Sequence, residues 1–250
     1  MFSEIGHTII SVRRTESTNN YAISQVAVNE IEEGTVFLAY AQTAGKGQLN
    51  NHWESEAGMN LTFSILLRPA FLEIQKQFML SKVVCLGLAS FLCRSVENVK
   101  IKWPNDIYVG DSKICGILIE NAIMGSTISQ SVIGIGLNMN QTSFRSPAPN
   151  PVSLKMITGK DYALDLAIKE LLKEIDLYYM KLRSGQFEEL DRVFHDQLYR
   201  LNEWHSYRDE THVYSGKIIG VNPIGQLRIQ EKDGFVHEYH FKEVEYLKFT

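Results

Sequence analysis

At 250 residues, the chain is long enough for one large domain, or for a main domain with a small appendage. Its 44% hydrophobic and 22% charged residues suit a water-soluble fold, and a net charge of −4 excludes the broadly basic surface of a protein that lives on nucleic acid. Three cysteines in no zinc or redox spacing exclude a disulfide scaffold and point to free thiols in a reducing, cytoplasmic compartment; the N-terminal "MFSEIGHTIISVRR" is no signal peptide, and "FMLSKVVCLGLASFLC" is shorter than the ~20 apolar residues that span a bilayer.

In chain order, "HTIISV" reads as a short strand. "ESTNNYAISQVAVNE" reads as a helix, with Ser17 or Thr18 capping its first turn. "TVFLAYAQ" has the β-branched and aromatic density of a buried strand, and the glycine-flanked "QTAGKGQLNNHW" follows it. "MNLTFSILLRP" is a strand that Pro69 stops. From about Glu73 to Val96 the apolar run predicts a long buried helix, with Cys85 and Cys93 in its core-facing part. "VKIKW" is a short strand, "PND" a turn, and "IYVGDSKICGILIENAI" a hairpin about "GDSK". "STISQSVIGIGLNMN" is a further strand running into glycines, and "SFRSPAPNPVS" reads as a loop. "DYALDLAIKELLKEIDLYYMKL" is the clearest amphipathic helix, and "FEELDRVFHDQL" is a second helical patch. After about Trp204 come short alternating strands split by "NPIG" and "KDG", a compact antiparallel unit with a boundary near residue 208. The chain lacks a steady βαβ rhythm, which favours an α+β class: helices packed on a mixed sheet over 1–207, and a small β unit over 208–250.

Four stretches carry candidate chemistry. "AGKGQ" is not a phosphate-binding P-loop, because no glycine stands upstream at the required spacing and Gln48 follows Gly47. No helix pattern follows at once, so the dinucleotide fingerprint fails as well. What remains is either a plain turn or a loop whose backbone amides and one ammonium suit a carboxylate or phosphate. In "KWPNDIYVGDSKICGILIE", Lys102, Asn105 and Asp106 crowd a strand end, and the hairpin can return Lys113, beside Gly116, toward them. There a lysine would neutralise charge developing on a phosphate or carboxylate; a solvated turn lysine is the plainer reading. Gly134 and Gly136 in "GIGLN" leave a strand open to close approach, either by an aromatic ring such as a purine or by another strand. Finally, "ESTN" places hydroxyls and amides at a helix start, where polar ligands dock, although capping explains it equally. The seven histidines have no zinc-site spacing, His52 reads as polar filler, and no serine-nucleophile elbow is present.

In this order, "ESTN", "QTAGKGQ…W", "KWPND", "K-x-x-GILIE" and "GIGLN" followed by a small β domain resemble the biotin–protein ligases (the biotin–[acetyl-CoA-carboxylase] ligase family). The resemblance implies a catalytic domain like that of class II aminoacyl-tRNA synthetases and lipoate ligases, with a C-terminal SH3-like barrel. It implies ATP-dependent activation of biotin as biotinyl-AMP, then transfer to a lysine of a biotin carboxyl carrier protein or domain. The implied roles are as follows. Ser17, Thr18, Asn19 and Gln42 hold the biotin head. Gly45, Lys46, Gly47 and Gln48 wrap the tail and acyl phosphate, with Trp53 as a wall, and Gly116 leaves room for the tail. Lys113 is the catalytic cation, touching both biotin and ATP. Asn105 and Asp106 lie by the phosphates, with Asp106 toward Mg²⁺, and Gly134, Gly136 and Asn138 face adenine; Glu120 is structural. Lys46 and Gln48 stand where the family usually has arginines, so the loop carries less charge. "ESTN" falls within the first twenty residues, which implies a form without the DNA-binding domain some members carry, and no nucleic-acid or membrane partner; a homodimer stays open. The rival readings are a lipoate–protein ligase and a non-catalytic binding protein on a decayed ligase scaffold.

Overall fold

A computed structural model describes residues 4–48, 51–145 and 150–247. Its centre is a seven-stranded sheet in the order β1-β2-β3-β7-β6-β5-β4. These strands are β1 (Ile9–Val12), β2 (Val36–Ala39), β3 (Leu61–Leu67), β4 (Val99–Lys102), β5 (Asp106–Val109), β6 (Ser112–Met124) and β7 (Thr127–Leu137). Only β1 and β2 run parallel, so the sheet is mixed, as the α+β reading expects. Helix α1 (Thr18–Val28) connects that parallel pair, which needs a crossover.

Strand β3 is buried along its whole length, which explains its near-continuous apolar sequence. On one face it meets α1, where Ala22, Phe37, Leu66 and Val132 form a small cluster. On the other lies the main core, roofed by α2 (Phe78–Leu92) and α4 (Leu164–Arg183). Those helices approach so closely that a Cβ on Gly87 would sit 2.7 Å from Ile175 Cα, so the glycine is required there. The helix expected from residue 73 is shorter than predicted: Ile74–Lys76 is a 3₁₀ turn and α2 starts at Phe78. Cys93 corrects a second expectation. It ends α2 on the surface, while Cys85 and Cys115 are buried. A short helix, α3 (Leu154–Thr158), follows the stretch read as loop; Ser153 accepts the Met156 amide at its start, and Gly159 closes it at φ 72°. Helix α5 (Phe187–Asp196) completes this part.

The second sheet, ordered β11-β10-β9-β8-β12, is antiparallel and curls as a small SH3-like barrel. Its strands are β8 (Trp204–Arg208), β9 (Val213–Val221), β10 (Leu227–Glu231), β11 (Val236–Tyr239) and β12 (Glu245–Tyr246), so the sheet begins at Trp204, upstream of residue 208. It is fixed to the first sheet by Trp103, whose Nε1 donates to the Gly225 carbonyl at 2.8 Å and whose ring meets Phe241 edge-on. The Val221 amide donates to His195 Nε2 at 2.9 Å. Among the described residues, no helix is long and apolar enough to cross a membrane.

Candidate active site

A cavity of about 550 Å³ lies between the first sheet and the C-terminal tail. One wall is the start of α1. Ser17, Thr18 and Asn19 are almost fully buried there. The predicted side-chain cap does not form: Ser17 is extended and makes no capping bond, while Gln42, on the segment after β2, accepts the Thr18 amide at 2.7 Å through Oε1. Asn19 is pinned from three sides. Its Nδ2 donates to Glu120 at 2.7 Å and to the Leu118 carbonyl at 3.3 Å, and its Oδ1 lies 2.6 Å from Ser64 Oγ. Ser64 is also 2.8 Å from Thr18 Oγ1, and it spends its one proton on Asn19, whose oxygen can only accept. Glu120, on β6, thus holds Asn19 in place.

A second wall is the glycine-rich segment, which is a folded hairpin. The Trp53 amide donates to the Gly45 carbonyl at 2.8 Å, the Gly47 amide to the Asn51 carbonyl at 2.7 Å, and Lys46 bridges His52. Leu49 and Asn50 lie outside the described residues. Gly45 permits the turn, because a Cβ there would sit 2.5 Å from the Trp53 carbonyl, but Gly45 does not itself line the cavity. The Gly47 amide is spent inside the hairpin, and the Lys46 ammonium folds back to Asn20 Oδ1 at 2.7 Å. Among the described residues, Gln48 Oε1 and Trp53 Nε1 are buried without a hydrogen-bond partner.

Trp53 also explains the glycines of the sheet. A Cβ on Gly136 would come within 2.2 Å of the indole, and one on Gly116 within 3.0 Å. On Gly134 it would meet Asn19 Oδ1 at 2.4 Å. Gly116, Gly134 and Gly136 all line the cavity, with Trp53 packed against Gly116 and Gly136 and Asn19 against Gly134. Asn138 directly follows β7. It is buried and absent from the cavity wall, and its Nδ2 donates to the Val152 carbonyl at 3.0 Å, fastening the segment before α3. Among the described residues its Oδ1 has no partner.

The floor is the β4–β5–β6 ribbon. Lys113 Nζ lies 2.7 Å from Asp106 Oδ1, both side chains are 21% exposed, and the ammonium stands 5.7 Å from the centre of the Trp53 ring. A regular strand would put residues three apart on opposite faces. Here the β5–β6 register shifts, with Ile107 opposite Cys115 but Tyr108 opposite Lys113. Ile114 is the extra residue of this bulge, and it returns Lys113 to the face that carries Gly116 and Asp106. Asn105 clasps β6: its Nδ2 donates to the Ile117 carbonyl, and its own carbonyl accepts the Ile117 amide. Lys102 shares the floor. Burial pushes its pKa below the ordinary lysine value, with nearby Asp106 opposing the shift.

Phe241, Lys242, Val244, Glu245 and Tyr246, from the C-terminal tail, close the remaining side. Sequence reasoning missed them because their only local signal is that of a small β unit, more than a hundred residues from the rest of the site. Among the described residues no group of three or more His, Cys, Asp or Glu side chains is placed to hold a metal. The cavity therefore combines a polar pocket at a helix start, an indole lid and a paired cation, a set suited to a small acid with a polar head and to a phosphate that bears its activated carboxyl.

Residues 11–138 match the model of the Biotin/lipoate A/B protein ligase family, about half of the chain. The bifunctional ligase/repressor BirA of Bacillus spizizenii is 26% identical over 89% of this chain and 70% of its own length. A biotin–[acetyl-CoA-carboxylase] ligase of Paracoccus denitrificans is 32% identical over 58% of this chain and 62% of its own. Among solved structures, the biotin protein ligase from Aquifex aeolicus in complex with biotin and ATP superposes with a TM-score of 0.80 at 26% identity, over 97% of this chain and 100% of that one. The chain belongs to the biotin/lipoate A/B protein ligase family.

Proposed function

We propose that this chain is an ATP-dependent biotin–protein ligase that makes biotinyl-AMP and transfers the biotinyl group to a lysine of a biotin carboxyl carrier protein or domain. The single observation that carries the reading is the Lys113–Asp106 pair on the floor of a cavity that also receives the buried Ser17–Asn19 knot. The Aquifex relative's complex with biotin and ATP supports the ligand pair.

In the first step a carboxylate oxygen of biotin attacks the α-phosphorus, the bond to the bridging oxygen breaks, and pyrophosphate leaves with the electron pair. In the second, the carrier's amine attacks the activated carbonyl, AMP leaves, and the amine loses a proton. Neither step needs a protein nucleophile. Both concentrate negative charge on phosphate oxygens, so a fixed ammonium lowers the barrier. Lys113 supplies it on exchanging Asp106 for the acyl phosphate. Ser17, whose hydroxyl is not spent on capping, joins Thr18, Asn19 and Gln42 around the polar ring of biotin. Trp53 covers the tail from above Gly116 and Gly136 and excludes water from the anhydride. Lys46 and Gln48 close the phosphate side, and Gly134 and Asn138 shape the adenine side from behind. Asn105 fixes Asp106. Asp106 would supply the one protein carboxylate that an Mg²⁺ carried by the phosphates needs, and the ion would neutralise phosphate charge there. The buried, protonated thiols of Cys85 and Cys115 suit a cytoplasmic enzyme.

Pyrophosphate release measured with biotin or lipoate as the acid tests the reading. Release with biotin alone is expected. Release with lipoate alone assigns the other branch of the family, and release with neither removes the enzymatic reading.

A further inference from the structure

Of the cavity's cations, the mechanism above leaves Lys102 and Lys242 unused, and Lys102 is the one on the floor beside Asp106 and Lys113. It ends β4 and pairs with Asp106 across the ribbon, on the face that carries Lys113. Its ammonium lies 3.1 Å from Tyr108 Oη and 4.8 Å from the ring centres of both Tyr108 and Tyr246. Among the described residues Tyr108 is its hydrogen-bond partner, and no carboxylate lies within salt-bridge distance. An ammonium carries three donors. Lys113 is neutralised by Asp106 at 2.7 Å, and the Lys46 ammonium is turned to Asn20. Lys102 thus gives the floor a net positive charge, held in an aromatic box beside the cavity rather than in bulk water. A lysine serving only to fasten Tyr246 to the ribbon would have no need to face the cavity.

We propose that Lys102 is a second phosphate-binding cation, which receives the pyrophosphate leaving group of ATP while Lys113 serves the acyl phosphate. This rests on the ligase reading. It divides the work along the reaction coordinate: as the bond from the α-phosphorus to the bridging oxygen breaks, the electron pair moves onto the departing oxygen, and charge builds at Lys102. In the transfer step that group has gone. Lys102 therefore acts in adenylation and not in transfer, whereas Lys113 acts in both.

The test uses the full-length enzyme and the substitutions Lys102→Met and Lys102→Arg. Lys102→Met is expected to lower kcat/KM for ATP in adenylate formation by roughly 30-fold or more. Transfer from purified biotinyl-AMP to a carrier domain should stay within about threefold of wild type. Lys102→Arg, which keeps the charge, should recover most of the loss. Binding of inorganic pyrophosphate, measured by calorimetry with and without Mg²⁺, should weaken about tenfold in Lys102→Met. Equal losses in both half-reactions with unchanged pyrophosphate binding would assign Lys102 a structural role, as would failure of Lys102→Arg to recover activity; unchanged ATP kinetics would remove it altogether. Should Lys102→Met not fold, Lys102→Gln carries the same comparison. If wild type forms no biotinyl-AMP, the ligase reading fails; pyrophosphate binding that still depends on Lys102 would leave the anion site standing.

Discussion

Lys113 reaches the cavity only because Ile114 is one residue too many for its strand. The spacing of "K-x-x-G" suggests proximity, but strand alternation alone would turn the lysine away from Gly116. No local signal in the sequence marks the bulge, so the residue was legible as a candidate while its direction was not. The glycines teach the complementary lesson. Gly134 and Gly136 were readable as places of close approach, and they are, but what approaches is Asn19 and Trp53. A single methyl tests this. Gly136→Ala must push the indole aside, since its Cβ would lie 2.2 Å from the ring. Adenylate formation should fall about 100-fold, as expected for a misplaced group that positions substrate, with a red shift in tryptophan emission. An unshifted emission and normal turnover would show that Trp53 already stands elsewhere in solution.

At the scale of elements, hydrophobic periodicity placed β3, α4 and the β5–β6 hairpin well, because burial itself dictates those patterns. The start of α1 was misread for a physical reason. Its first free amide is satisfied by Gln42, twenty-four residues away, rather than by its own Ser17. Helix packing hides another long-range tie. Lys82, on α2, is 1% exposed, pairs with Asp191 of α5, and lies against the rings of Phe78 and Phe194. Asp191→Ala strands a buried ammonium and should destabilise the fold by about 2 kcal/mol, less than the 3–5 typical of a fully buried pair because Asp191 is 46% exposed. Lys82→Met, which removes the charge and keeps the volume, should be nearly neutral in chemical denaturation. A larger loss for Lys82→Met than for Asp191→Ala would mean that the ion pair itself stabilises the α2–α5 contact.

The whole molecule is two sheets with the reacting cavity between them, so the stability of the smaller sheet bears on the chemistry. The Thr211 hydroxyl, the amides of Thr211 and His212 and the Tyr239 hydroxyl hold the Asp209 carboxyl well below the ordinary carboxylate range. Its folded pKa is depressed, so its contribution is complete above the unfolded value of about 4 and is lost as pH falls below it. Asp209→Asn should therefore loosen the second sheet at neutral pH and flatten its acid dependence, read as faster amide exchange in β9 and β11. Exchange unchanged from wild type would show that this cluster does not hold the barrel. That the tail walls the cavity was not legible in the sequence, because Trp103 meets Gly225 across more than a hundred residues and no composition signal marks that pairing. The architecture as a whole was legible, since a mixed sheet followed by a compact β unit follows from strand and helix patterns alone.

Everything in the proposed chemistry depends on the Lys113 ammonium meeting the activated carboxyl inside the cavity. The direct measurement is single-turnover formation of biotinyl-AMP from biotin, ATP and Mg²⁺ by the wild-type chain and by Lys113→Ala. The expected result is stoichiometric biotinyl-AMP bound to wild type, and a rate lower by about 10²–10³ in Lys113→Ala, some 3–4 kcal/mol, with folding intact. A Lys113→Ala protein that forms the adenylate at the wild-type rate would contradict the account.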